Sequence, residues 1–452
     1  MTIDRSRPAP RAVPVPAGRV SRLTRLSAMT AGVAGNMAVN GLRQWAGGQR
    51  PTTRDLILTP SNIRRIADQL AQMRGAAMKI GQLMSMDTGD ALPPELAEIL
   101  ARLRAEADFM PPAQLKRVLT AAWGDGWLKQ FARFDVRPIA AASIGQVHRA
   151  ETKSGRTLAI KVQYPGIYKS IDSDVSNVGA LIRMSGLLPA GFDLAPYLDE
   201  ARRQLREEAD YCQEAAYLAE FRSVLAGDDR FVLPEVIGDL TTPTVLAMTF
   251  VNGGPIEDVD GADQKTRDHV AHQLIHLVLQ ELFEFGLMQT DPNFANYRYD
   301  PESGRIVLLD FGATRRFSPE VGNHYRALMG AGLAGDREGI EAAAETIGFI
   351  APEMHARHRA AVCEMIAIVF DALRDVDVFD FADPALTRRM NAAGKALAED
   401  GFVPPPLPMD ALYLQRKFAG IFLLANRLRA RLPVASVLAE AIAANGPRAA
   451  AE

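Results

Sequence analysis

The chain has 452 residues, 48% of them apolar and 23% charged, a balance that excludes disorder throughout and exceeds what one ordinary core uses. Its 51 basic and 54 acidic residues leave a net charge of −3, so no global field gathers nucleic acid or anionic substrates, and any phosphate site must be local. Cys212, Cys363 and seven histidines show neither a disulfide framework nor zinc-ligand spacing, which points to a reducing compartment.

The first fifty residues hold eight Arg, no Lys and one acid, Asp4, with Pro8, Pro10, Pro14 and Pro16 interrupting the start. Residues 1–25 are therefore expected to form a disordered basic arm. From Leu26 to Leu42 the chain carries no charge for 17 residues, but Gly32, Gly35, Asn36, Asn40 and Gly41 dilute it below what a bilayer core requires. Neither a transmembrane helix nor a compact secretory signal is expected. The stretch reads as a plain tail and helix, or as a basic, weakly amphipathic element resting on anionic lipid. Residues 26–130 are expected to be a helical N-terminal extension. Its clearest element runs from Pro60 to Met86, where Ile63, Ile66, Leu70, Met73, Ala77, Ile80 and Met84 recur at spacings of three and four. Lys79 and Gln82 share the other face.

Near Phe134 the texture changes. GQVHRAET, TLAIKVQY and TPTVLAMTFV predict a small antiparallel sheet in a lobe over 131–252, with one charged helix, Tyr197 to Leu225, inside it. After Gly253-Gly254 a helical lobe over 253–446 is expected, with an apolar helix from Val270 to Phe285 and a packed helix over Phe418 to Ala444. His272 and His276, one turn apart on the apolar helix, read as core histidines. The fold class expected is α+β, a protein-kinase-like two-lobed fold with a helical extension before it and an Ala-rich helical region after it.

The chemistry rests on four patterns. Ala140-x-Ala142-x-x-Gly145-x-Val147 has the spacing of a kinase phosphate loop, with alanine at the first two glycine positions. Leu158-Ala159-Ile160-Lys161 reads as the strand whose lysine reaches nucleotide phosphates. Asp291 and Asn296 keep the D-x4-N spacing of a catalytic loop, and Asp310-Phe311-Gly312 follows an apolar strand. Triphosphate oxygens repel one another, so Mg2+ held by Asp310 and Asn296 would neutralise them. Lys161 would hold the α- and β-phosphates, anchored by a carboxylate of the run Arg206-Glu207-Glu208-Ala209-Asp210. Glu208 is the expected partner and Glu207 the alternative. Asp291 would orient or deprotonate an acceptor hydroxyl. If Ala140 or Ala142 needed left-handed backbone, alanine would cost about 1–2 kcal/mol at each, so the loop is expected to take a less glycine-like path.

Together with Lys79-Ile80-Gly81-Gln82, this ensemble resembles the UbiB family (AarF/UbiB) of atypical, protein-kinase-like proteins over roughly residues 60 to 320. The family's KxGQ, alanine-rich loop, ExD and DFG read here as Lys79 to Gln82, Ala140-Ala141-Ala142-Ser143, Glu208-x-Asp210 and Asp310-Phe311-Gly312. The segment MRGAAMKIGQLMSM followed by ADFMP looks most like the branch tied to coenzyme Q biosynthesis. The resemblance implies ATP and Mg2+ as cofactors, with Lys79, Gln82, Glu208 and Asp210 at the nucleotide. It implies ATPase or small-molecule phosphotransfer in support of ubiquinone production, instead of protein phosphorylation. It also implies a KxGQ helix covering the site where a protein substrate would bind. Expected partners are adenine nucleotide, quinone-precursor lipids and quinone-biosynthesis proteins, with no nucleic acid. The expected location is cytoplasmic and peripheral on the inner membrane. The family usually writes its catalytic loop HADPHPGN. Here the loop is Gln289-Thr290-Asp291-Pro292-Asn293-Phe294-Ala295-Asn296, without the leading His or the Pro-Gly. That departure leaves room for a nucleotide-gated scaffold or lipid-extracting chaperone that transfers no group.

Overall fold

A computed structural model describes residues 70, 73–88, 109–185 and 193–444. The basic arm, the uncharged stretch from Leu26, the first turns of the helix expected from Pro60 and the side chain of Gln82 lie outside the described residues. Those described form two compact units, one reaching residue 216 and including 235–250, the other taking 217–234 and everything after 250. The helices before residue 131 join the first unit.

In the first unit, α1 (Arg74–Thr88) and α2 (Pro112–Trp123) precede strands β1 (Phe131–Phe134), β2 (Ala140–Ala141), β3 (Gly145–Thr152) and β4 (Thr157–Gln163). Helices α3 (Ile167–Ser185), α4 (Ala195–Glu208) and α5 (Tyr211–Val224) follow, of which α5 belongs to this unit only as far as residue 216, and β5 (Val245–Thr249) completes the sheet. The sheet is antiparallel in the order β1-β3-β4-β5, with β2 paired to β3. Alternation along β4 decides what goes where. Leu158, Ile160 and Val162 are fully buried in a core with Leu115, Leu119 and Trp127, while Lys161 and Gln163 point to the opposite face, where they are buried too. That face is covered by α4 and α5, so polar groups on it need partners.

One expected element is two. The charged helix read over Tyr197 to Leu225 breaks at Ala209–Asp210, between α4 and α5. The groups released there find partners elsewhere: Gln163 Nε2 donates to the Ala209 carbonyl at 3.0 Å, and Tyr211 N–H to the Pro243 carbonyl at 3.1 Å. Asp210 Oδ1 accepts from Cys212 N–H at 3.0 Å, which restarts the helix. Helical periodicity runs through the break because nothing in the local sequence forbids it.

The second unit is mainly helical. Helix α6 (Gln264–Gln280), started by Asp263 accepting from Thr266 N–H, runs into a wider turn over Glu281–Phe285. Four short strands follow: β6 (Leu287–Gln289), β7 (Tyr297–Asp300), β8 (Arg305–Leu308) and β9 (Thr314–Arg316). β6 pairs with β9 and β7 with β8. Helices α7 (Pro319–Ala334), α8 (Arg337–Ile347), α9 (Ala356–Arg374), α10 (Ala385–Glu399), α11 (Met409–Arg427) and α12 (Val434–Ala443) make up the Ala-rich remainder, with α11 packed on α6. The helix expected over Phe418 to Ala444 is interrupted. Arg429 takes a left-handed conformation (φ 52°) and Pro433 follows, so α11 stops and α12 starts anew. Among the described residues no helix is long and apolar enough to cross a membrane.

Candidate nucleotide site

Lys161 sits at the centre of the first unit's sheet, between Val147 on β3 and Leu246 on β5. Its Nζ donates to both carboxylate oxygens of Glu214, at 2.7 and 2.9 Å, and lies 5.2 Å from the centroid of the Tyr211 ring. Glu214 is 3% exposed. The partner expected for Lys161 was Glu208 or Glu207, and the structure gives that role to Glu214, two turns further along. Glu207 instead pairs with Arg203 on the outer surface of α4. Glu208 pairs with Lys79 of α1 and accepts from the Ser143 hydroxyl at 3.0 Å. The break at Asp210 is the physical reason, because it rotates α5 so that Glu214, not Glu208, faces the strand.

The alanine-rich loop is a tight hairpin. Ala140 and Ala141 pair with Val147 and Gln146, and Ala142 N–H donates to the Gly145 carbonyl at 2.9 Å. Neither Ala140 nor Ala142 adopts positive φ, so alanine pays no left-handed penalty there. Gly145 is required for a different reason. A Cβ on it would stand 2.5 Å from the Val162 carbonyl oxygen and 2.7 Å from the Tyr211 hydroxyl. Helix α1 lies directly against this loop, since a Cβ on Gly75 would meet Ile144 Cγ2 at 3.1 Å and the Ser143 carbonyl at 3.6 Å. Lys79, expected on the polar face of its helix, is 6% exposed, held beneath the loop by Glu208. Asp210 is exposed and serves as the cap described above.

In the second unit the D-x4-N loop connects β6 to β7, and Asp310-Phe311-Gly312 connects β8 to β9. The two loops are stitched together. Leu309 N–H donates to the Asn296 carbonyl at 3.1 Å, and Thr290 donates to the Ala313 carbonyl through its backbone N–H (3.1 Å) and its hydroxyl (2.7 Å). Asn296 Nδ2 donates to the Asp291 carbonyl at 3.1 Å and to Asp291 Oδ2 at 3.3 Å. Asp310 Oδ1 accepts from Gly312 N–H at 3.0 Å, and Phe311 packs on Phe221 with centroids 4.8 Å apart. Asn296 and Asp310 line one small cavity. With Nδ2 committed to Asp291, the amide oxygen of Asn296 is the atom left to meet a cation. Among the described residues no cluster of three or more His, Cys, Asp or Glu could hold a metal by itself. One carboxylate and one amide oxygen instead suit Mg2+, which keeps most of its shell as water and substrate phosphate.

Two residues here were not anticipated. Glu214 had a legible sign, because it is an acid on the apolar stripe Tyr211, Ala215, Leu218 and Phe221, and a buried acid needs a cation. Arg416 on α11 had none. Its Nη2 lies 2.5 Å from Asp291 Oδ1, fixing the carboxylate from the side opposite Asn296's contact with Oδ2.

Residues 102–344 match the family described as ABC1 atypical kinase-like domain. The chain is similar to the mitochondrial atypical kinase COQ8 of Saccharomyces cerevisiae, 38% identical over 431 residues that cover 95% of this chain and 86% of that protein. It is also similar to the mitochondrial atypical kinase COQ8B of Danio rerio, 36% identical over 92% of this chain and 67% of that protein. Among solved structures, that of Rv3197 with erythromycin from Mycobacterium tuberculosis is similar with a TM-score of 0.57 at 24% identity, covering 81% of this chain and 92% of that one. At that identity the likeness bears on fold alone.

Proposed function

This chain belongs to the ABC1 atypical kinase-like family, and on that premise we propose that it binds Mg-ATP and hydrolyses it, or passes its terminal phosphoryl group to a small molecule, in support of ubiquinone production. The observation that carries the reading is the bidentate contact between Lys161 and Glu214. A lysine so held on a central strand is a fixed cation whose position no longer depends on its own flexible stem. Lys161 would grip the α- and β-phosphates. Asp310 and the amide oxygen of Asn296 would hold Mg2+. Bound there, the ion would neutralise crowded phosphate oxygens and fix the transferred group. Asp291, steadied by Arg416 and Asn296, would orient the attacking water or hydroxyl.

Helix α1 favours a small acceptor over a protein one. Through Lys79, Glu208 and Ser143 it is tied to the phosphate loop, where a protein substrate would otherwise approach. Ubiquinone as the pathway follows from the COQ8 likeness, and association with a membrane surface would be peripheral, through the arginine-rich start of the chain. A second reading, a nucleotide-gated scaffold or lipid-extracting chaperone, is favoured by the Arg416 contact, which occupies one oxygen of Asp291. Calorimetry with Mg-ATP and phosphate release with and without liposomes and quinone-precursor phenols decide between them, with Asp310→Asn as control. Turnover stimulated by either addition supports the enzyme, binding without turnover supports the scaffold, and absence of binding removes both.

A further inference from the structure

Beneath the D-x4-N loop lies a buried charge that the chemistry above does not use. Lys417 of α11 is 1% exposed, and so is Glu281 at the end of α6. Lys417 Nζ lies 3.2 Å from Glu281 Oε2, donates to the Gln289 carbonyl at 2.6 Å and to Gln289 Oε1 at 3.2 Å, and donates to the Tyr297 hydroxyl at 3.0 Å. Glu281 Oε1 accepts from Gln289 N–H at 3.2 Å. Gln289 is the residue before Thr290 and Asp291, and Tyr297 is the residue after Asn296. One ammonium group therefore touches both ends of the loop that carries Asp291 and Asn296.

The rest of α11 conforms to the same loop. Arg416 reaches Asp291, and Gly420, one turn after Lys417, lies so close to Pro292 that a Cβ on it would stand 2.3 Å from Pro292 Cβ. Stability alone does not account for the arrangement, because a buried ion pair can often be replaced by apolar side chains of similar size at little or no loss. An apolar pair, however, could not bond a carbonyl, an amide oxygen and a phenol at once. Lys417 and Glu281 also line the cavity that Asn296 and Asp310 share.

We propose that Lys417, anchored by Glu281, is a positioning residue that sets the separation of the two ends of segment 289–297, and thereby the placement of Asn296 beside Asp310. Helix α11 lies beyond the matched region 102–344, so a C-terminal helix completes phosphate handling that the matched region does not contain by itself. The metal side of this inference rests on the Mg-ATP reading, whereas the loop side does not.

The test uses the full chain and two variants. The double variant Lys417→Met with Glu281→Leu removes both buried charges and keeps their volume. Tyr297→Phe deletes one hydrogen bond and strands no charge. Hydrogen exchange without nucleotide should quicken about tenfold or more in peptides covering 287–297 of the double variant while β4 peptides keep wild-type rates. The Mg2+ concentration for half-maximal Mg-ADP binding by calorimetry should rise about tenfold in the double variant and less in Tyr297→Phe. A double variant that melts within a few degrees of wild type yet retains wild-type exchange in 287–297 overturns the proposal. If the double variant does not fold, Tyr297→Phe decides, and unchanged loop exchange there overturns it equally. Should wild-type protein bind no Mg-nucleotide, the functional reading falls and the exchange arm still judges the clamp.

Discussion

Lys161 and Glu214, 53 residues apart, meet with both carboxylate oxygens within 2.9 Å of the ammonium nitrogen. Both are buried, so neither can exchange its partner for water without cost. Glu214→Gln should destabilise the first unit by about 1–3 kcal/mol, because a neutral amide replaces the buried carboxylate that takes two hydrogen bonds from the Lys161 ammonium. It should also weaken Mg-ATP binding at least about tenfold, since the lysine loses its anchor. Melting curves and calorimetry measure the two effects. A variant with wild-type melting would show that this ion pair adds nothing to the stability of the fold.

Ala140 pairs in a short strand and Ala142 N–H closes the hairpin onto Gly145. Replacing either by glycine relieves no strain and adds backbone freedom, at about 0.5–1 kcal/mol each. Ala140→Gly and Ala142→Gly should therefore alter nucleotide affinity, or the balance between hydrolysis and transfer, by loosening the loop. Calorimetry with ATP and ADP, with phosphate release alongside, makes the comparison. Identical affinities and turnover in both variants would show that the loop does not control the nucleotide.

Arg416→Leu removes the guanidinium from Asp291 while leaving Asn296 in contact with the other oxygen. The carboxylate then gains freedom about its side-chain torsions. Turnover should fall about tenfold to a hundredfold, a fraction of what a positioned acid–base group contributes, while nucleotide affinity holds within about threefold. Steady-state kinetics against ATP concentration read the split. An increase in turnover would instead identify Arg416 as a restraint on Asp291.

His148, fully buried on β3, receives a hydrogen bond from Gln146 Nε2 at its Nε2 (2.8 Å) and donates from Nδ1 to the Asp135 carbonyl at 2.9 Å. Gln146 is oriented in turn by Met110 N–H, which donates to its Oε1. Burial holds the imidazole below its ordinary value of 6.5, against the opposing pull of the Asp135 carbonyl and charge. The unfolded chain therefore binds a proton that the folded one refuses as pH falls below about 6.5, and stability should drop there by up to about 1.4 kcal/mol per pH unit. Thermal melts between pH 7 and 5 show the slope, and His148→Gln should flatten it. An unchanged slope in that variant would assign the effect elsewhere.

Much of the candidate site's local geometry was readable because its determinants are local. Alternation along β4 separated Lys161 from Leu158, Ile160 and Val162, and the spacing of Asp291 and Asn296 and the DFG after an apolar strand needed no tertiary knowledge. Assigning a partner to Lys161 failed because it depends on where a helix stops. At that stop the freed backbone groups are taken up by Gln163 and Pro243, which lie distant in sequence from Ala209 and Tyr211. Arg416 arrives from 125 residues beyond Asp291, on a helix whose other residues read as ordinary core. Lys79 was expected on this helix and turned toward the nucleotide, but its pairing with Glu208 was not legible, because periodicity along one helix does not say which carboxylate of another will meet it.

The interruption at Ala209–Asp210 lets successive segments serve different lysines, Glu208 meeting Lys79 and Glu214 meeting Lys161. Since each added residue turns a helix by about 100°, inserting a single amino acid within α5 between Tyr211 and Glu214 would swing the Glu214 carboxylate off its cation. The interval between Tyr211 and Glu214 thus acts as a ruler. Lengthening or shortening it by one would uncouple the two ion pairs even though every charged residue remained in place.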